Sequence, residues 1–196
     1  MRCGTYGVEL GGRKLEVAKI VMTSYALEEA DTPVEVFEAC RAFCSEMCDD
    51  PDCRDTVIYG GNNWYYAYGK SSAKEILGDS AYLAEMTEGI ENRPFMVMDD
   101  GWQIDHSDSY NGGPWRVGNA DYGDMGELAA QMRAKNVRPG IWFRPLYDHS
   151  ADIPAEWRLE RNAEVFDISV PEVLEHIAQD IRQLGDWGYE LIKHDF

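Results

Sequence analysis

Positive charge is scarce in this sequence: 18 Lys and Arg stand against 36 Asp and Glu, a formal net charge of −18. Such a surface repels phosphate backbones and anionic lipid heads, so neither nucleic acid nor a membrane is expected as a partner. Long apolar runs are missing too; none approaches the ~20 residues of a membrane-spanning helix. The opening stretch, Met1 to Leu10, lacks a basic segment followed by an apolar one. No secretory signal is therefore visible, and a cytoplasmic location is expected. No Gly-x-Gly-x-x-Gly follows the first predicted strand, which leaves a dinucleotide fold without support. The histidines show neither His-x-His nor His-x-x-x-His spacing, so neither a metal nor another cofactor is expected.

Five cysteines are odd in number and mostly clustered, which does not suit a disulfide framework. Cys40, Cys44 and Cys48 recur every four residues, with Cys53 following. A metal or cluster site would need closer pairs of the Cys-x-x-Cys kind, which are absent. The three are expected instead as small apolar side chains on one helix face, beside Phe37, Phe43 and Met47.

What is present suffices for a core. Hydrophobic residues make up 44% of the 196, enough for one domain, or one domain plus a piece of another. Helix starts announce themselves through capping boxes: Thr32…Glu35 with Pro33 at the first helical position, Ser72…Glu75 and Ser169…Glu172, with an aspartate version at Asp124…Glu127. Each opens a stretch with helical apolar spacing, the last reading Val173, Leu174, Ile177, Ile181 and Leu184. Between them lie strand candidates: Val57-Tyr59 extending to Tyr66, Phe95-Asp99, Gly140-Arg144 and Glu190-Asp195. Strand and helix alternate from there on, which argues for an α/β fold of parallel βαβ units.

Connections from helix to strand are short, as at Glu91-Asn92-Arg93-Pro94, whereas those from strand to helix, Gly101 to Gly123 and Pro145 to Asp167, are long. Long loops at the C-terminal ends of strands are where β/α barrels build active sites. Four strands are half of a (β/α)8 barrel, which typically needs ~250 residues. The expected fold is therefore a partial TIM barrel, strands 1–4 with their helices, over residues 57–196. Residues 32–56 would form a helix leading into it. Residues 1–31 would be a short β-rich extension, with a hairpin turn at Gly11-Gly12. A half barrel leaves open edges, so association with another copy or with a missing C-terminal half is expected.

The strand ends carry the candidate chemistry. They read Asn62-Asn63-Trp64, Asp99-Asp100-Gly101-Trp102, Trp142-Phe143-Arg144 and Lys193-His194-Asp195. Carboxylates and a lysine can hold hydroxyl pairs, and indole faces can stack on the apolar faces of a sugar. Singly each motif has a plain alternative. Asp99-Asp100-Gly101 would serve as a local turn, the tryptophans would serve as core, and Asp195 would pair with Lys193. Four such ends on successive strands point to a saccharide site.

Together these motifs resemble the α-galactosidase clan, glycoside hydrolase families 27 and 36 with raffinose-synthase-type relatives, over about Val57 to Phe196. The resemblance implies a retaining hydrolase of α-galactosides with Asp195 as nucleophile. Asp99 and Asp100 would hold sugar hydroxyls, Lys193 would bind a ring hydroxyl, and Trp64 and Trp142 would line the sugar pocket. Trp102 and Arg144 are further candidate substrate contacts, Arg144 one that could shift preference toward an anionic or otherwise different sugar. Double displacement also needs an acid/base carboxylate ~5–5.5 Å from the nucleophile; in the family it comes from a later strand, outside this chain. Two positions depart from the pattern: Arg144-Pro145 stands where many family 36 members have Glu-Pro, and His194 is an unusual middle residue. The alternatives are a non-catalytic carbohydrate-binding or degenerate fragment, a transglycosidase of the raffinose-synthase type, and a metal-dependent hydrolase built on Asp99, Asp100, His106, His149 or His194.

Overall fold

The computed structural model describes residues 33–47 and 56–196, together with Gly11, Gly12, Lys14, Ile20 and Met22. They fall in two units, residues 33–47 belonging to one and 57–196 to the other. Gly11 and Gly12 form a turn with positive φ; the strands expected on either side lie outside the described residues, as do Cys48 and Cys53.

In the first unit, α1 spans Pro33–Ser45. Its apolar positions Phe37, Phe43 and Met47 are exposed, and so are Cys40 and Cys44. The expected buried cysteine face is therefore not found among the described residues.

The second unit is built on a parallel sheet. Its strands are β1 (Gly60–Asn62), β2 (Phe95–Met98), β3 (Arg138–Phe143) and, closing the chain, β6 (Leu191–His194). They lie side by side in chain order, β1-β2-β3-β6, all parallel. Between β1 and β2 come the short α2 (Trp64–Ala67) and α3 (Ala73–Met86); α4 (Met125–Ala134) links β2 to β3. After β3 a two-stranded antiparallel hairpin, β4 (Arg158–Leu159) with β5 (Asn162–Phe166), precedes α5 (Pro171–Asp186). Two capping boxes form: Ser72 Oγ accepts from Glu75 N and Asp124 Oδ1 from Glu127 N. At the third, Ser169 is not the cap. Val170 holds that place, Pro171 starts α5, and Asp167 Oδ1 accepts from Ser169 N instead.

Alternation along each strand separates two faces. Met96, Met98, Ile141 and Phe143 share a buried core with Ile76 of α3, Leu128 and Met132 of α4 and Leu184 of α5, and Ile192 packs against it. Helices thus cover that face. The opposite face presents Phe95, Val97, Leu191 and Lys193 to a cavity of about 450 Å³, which Tyr59, Asn62 and Tyr65 also line. Gly140 keeps the centre of that face low; a Cβ there would sit 2.8 Å from Val97 Cγ2. The strand expected through Tyr66 ends at Asn62, and Trp64 to Ala67 form a helical turn. No described helix is long and apolar enough to cross a membrane.

Candidate functional site

The register brings the candidate chemistry to one row at the C-terminal ends of the strands. Met98 pairs with Ile141, and Trp142 with Lys193. Asp99, Trp142 and Lys193 therefore follow one another across the C-terminal ends of β2, β3 and β6. Asp195 lies two residues beyond Lys193 and so on the same side.

Asp99 is 2% exposed and saturated with donors. Its Oδ2 accepts from Lys193 Nζ at 2.7 Å and from Asn62 Nδ2 at 2.6 Å. Its Oδ1 accepts from the Asp100 amide at 2.9 Å. Its own amide donates to Asn63 Oδ1 at 2.7 Å, and Asn63 is buried. Lys193 also faces the second carboxylate, with Nζ 3.9 Å from Asp195 Oδ2. That oxygen accepts from Trp142 Nε1 at 3.0 Å. The result is a carboxylate, lysine, carboxylate bridge across three strands, with one indole N–H on its far end.

The remaining expected residues are placed differently. Asp100 is engaged elsewhere: its Oδ1 accepts from Gln103 Nε2 at 2.8 Å and sits 3.3 Å from His106 Nδ1. Trp102, expected as a substrate contact, is fully buried and donates its indole N–H to the Trp142 carbonyl at 3.0 Å. It supports the site from behind and offers no open face. Trp142 is only 1% exposed. Trp64 is half-buried at the rim, its ring edge-on to Tyr68. Arg144 bonds Asn111 through Nη1 and lies over the rings of Tyr147 and Phe196. Gly101, at φ +115°, lets the turn after Asp100 pass against Gly69, whose carbonyl oxygen would lie 2.4 Å from a Cβ.

Asn62 and Asn63 belong to a strand-end motif but had no expected role of their own, and Gln103 was not expected at the site. Neutral amides carry no titratable signature, and only their place beside the strand ends hints at a role. No three His, Cys, Asp or Glu among the described residues could hold a metal ion.

Behind the site, the loop after β2 is pinned to α5. Arg116 Nε donates to Asp180 Oδ1 at 3.1 Å, and His176 Nε2 lies 3.5 Å from Asp180 Oδ2. Burial pushes the Asp180 carboxyl above its ordinary value, against the pull of His176 and Arg116. Burial likewise raises the Tyr110 hydroxyl, which donates to the Gly113 carbonyl.

The fold of this chain is similar to that of solved α-galactosidases. The galactosidase domain of the α-galactosidase–sucrose kinase AgaSK matches 73% of this chain at a TM-score of 0.62 and 23% identity. The GH36 α-galactosidase AgaA from Geobacillus stearothermophilus matches 72% at 0.56 and 22% identity. TtGalA, an α-galactosidase from Thermus thermophilus solved with stachyose, matches 73% at 0.54 and 23% identity. The chain spans 21%, 21% and 33% of the length of those three. At such identities the likeness is one of fold. No protein-family model and no curated protein sequence matches.

Proposed function

We propose that β1, β2, β3 and β6 are the first four strands of a (β/α)8 barrel, and that their C-terminal ends hold the nucleophile half of a retaining α-galactosidase site. The observation that carries this reading is Lys193 Nζ set between Asp99 Oδ2 and Asp195 Oδ2. Solved α-galactosidases of similar fold support the substrate class, among them TtGalA with stachyose and an AgaA variant with raffinose.

In this reading a galactosyl ring enters over the cavity beside Lys193 and exchanges its hydroxyls for the contacts that Asn62 and Lys193 make on Asp99. An oxygen of Asp195 attacks the anomeric carbon. The bond to the departing oxygen breaks with its electron pair, and an acid protonates that oxygen. Water then adds at the anomeric carbon, the same acid now acting as base, and the Asp195 ester is released as carboxylate. Asp99 is not assigned as the acid, because Lys193, Asn62 and the Asp100 amide already engage both its oxygens. The acid/base is assigned to a further βα unit, as the resemblance to the family implies. Binding of saccharide without turnover is the second reading, favoured by the fact that Asp99, the other carboxylate on Lys193, is engaged by Lys193, Asn62 and the Asp100 amide and is not placed as an acid.

Leaving-group dependence tests the reading. The chain should scarcely turn over aryl α-galactosides, since their leaving oxygen needs a proton. α-Galactosyl fluoride needs none, so it should react in proportion to Asp195, and Asp195→Asn should not react. Equal fluoride release by the two proteins would overturn the proposal.

A further inference from the structure

We infer that Trp142 is the positioning residue of the Asp195 carboxylate, its indole N–H fixing the direction in which that carboxylate faces. The inference rests on the role proposed for Asp195 and adds what holds it.

Two donors approach Asp195 Oδ2. Lys193 Nζ, at 3.9 Å, is beyond hydrogen-bond reach and is committed to Asp99 at 2.7 Å. It acts on Asp195 by charge, which does not orient a carboxylate. Trp142 Nε1, at 3.0 Å, makes the directional contact. The Phe196 amide donates to the other oxygen, Oδ1, at 3.1 Å, but it belongs to the adjoining, exposed residue. With the Asp195 side chain 39% exposed, Trp142 is the donor that ties the carboxylate to the sheet.

The indole itself cannot turn away. The Trp142 backbone carbonyl accepts the Trp102 indole N–H at 3.0 Å, which fixes the backbone from which the ring projects. The Trp115 ring meets that ring edge-on, with centroids 5.6 Å apart. Trp102 in turn packs on Trp115 and Trp187. Rotating Trp142 would open a close-packed aromatic core, and a buried indole N–H without an acceptor is costly. At 1% exposure Trp142 also has no free ring face for a sugar to stack on, which separates this role from that of a substrate platform.

The test uses the ¹⁵N-labelled chain, in which the six tryptophans each give one indole N–H resonance. The Trp142 resonance should move as pH is lowered through the carboxylate range, and Asp195→Asn should remove that movement while leaving the Trp102 and Trp115 resonances in place. Trp142→Phe should slow glycosylation of Asp195 by α-galactosyl fluoride between about ten- and a hundredfold, with the half-saturating concentration unchanged. An indole insensitive to pH, or one that still titrates in Asp195→Asn, would overturn the inference. So would a Trp142→Phe protein whose rate loss is recovered by raising substrate, the mark of a substrate contact. If Trp142→Phe fails to fold, the Asp195→Asn comparison decides alone. If the indole follows Asp195 but no protein reacts with the fluoride, the positioning contact stands and the galactosidase reading falls.

Discussion

Lys193 reaches across β3 to donate to Asp99 at 2.7 Å. β2 and β6 are two strand spacings apart, ~10 Å, a gap that an extended lysine and an aspartate together can span. Trp142 stands opposite Lys193 on the strand between them, and Gly140, one row below on the same face, adds no side chain. The contact joins residues distant in sequence, and it exists only when all three strands are in register.

Lys193→Met therefore tests the register as well as the charge. It leaves Asp99, 2% exposed, with Asn62 and the Asp100 amide as its remaining donors. Breaking a fully buried pair would cost more, but the Lys193 side chain is 37% exposed and its charge is partly screened. The expected loss is on the order of 1–2 kcal/mol in urea unfolding. A variant as stable as the parent would mean that Lys193 is not held to Asp99.

The two faces of the sheet should respond differently to truncation. Ile141, fully buried against the helices, should cost about 2–5 kcal/mol when changed to Ala. Leu191, on the cavity side, should cost under about 1 kcal/mol, because little surrounds it to form a void. Equal losses, measured by denaturant midpoint, would show that the second face is covered as well.

Asp180 gives a pH prediction with a definite sign. Its folded-state carboxyl is raised above the ordinary 3.8 by burial. The stability it contributes is therefore complete below that value and declines as pH rises through its folded value. Asp180→Asn should remove that part of the slope, so the gap between parent and variant should change in the acid range and level off above it. Parallel stability curves for the two proteins would contradict this.

Much of the order of elements was legible because caps and apolar periodicity agree, as at Ser72, Asp124 and the Val173 to Leu184 stripe. Faces were harder to read. In a parallel sheet with apolar residues on both sides, alternation disappears, and nothing in the strands' own pattern says that Ile141, Phe143 and Ile192 are the ones that face the helices. Trp64-Tyr65-Tyr66 favours a strand by propensity, yet forms a helical turn directly after β1. The β4–β5 hairpin is short and buries only Phe166, so nothing in its pattern marks it. At the site, Asp99, Lys193 and Asp195 stood out by charge at strand ends. Trp102 did not betray its burial, since an indole beside an aspartate pair reads equally well as core or as sugar platform.

The central claim is that Asp195 is a glycosyl-accepting nucleophile at the mouth of this sheet. Incubating the chain with a fluorinated α-galactosyl fluoride, whose glycosyl-enzyme ester hydrolyses slowly, and mapping the product by peptide mass spectrometry tests it most directly. The account predicts one glycosyl adduct, on the peptide that contains Asp195, and none in Asp195→Asn. An adduct at another carboxylate, or no adduct on the folded parent chain, would contradict it.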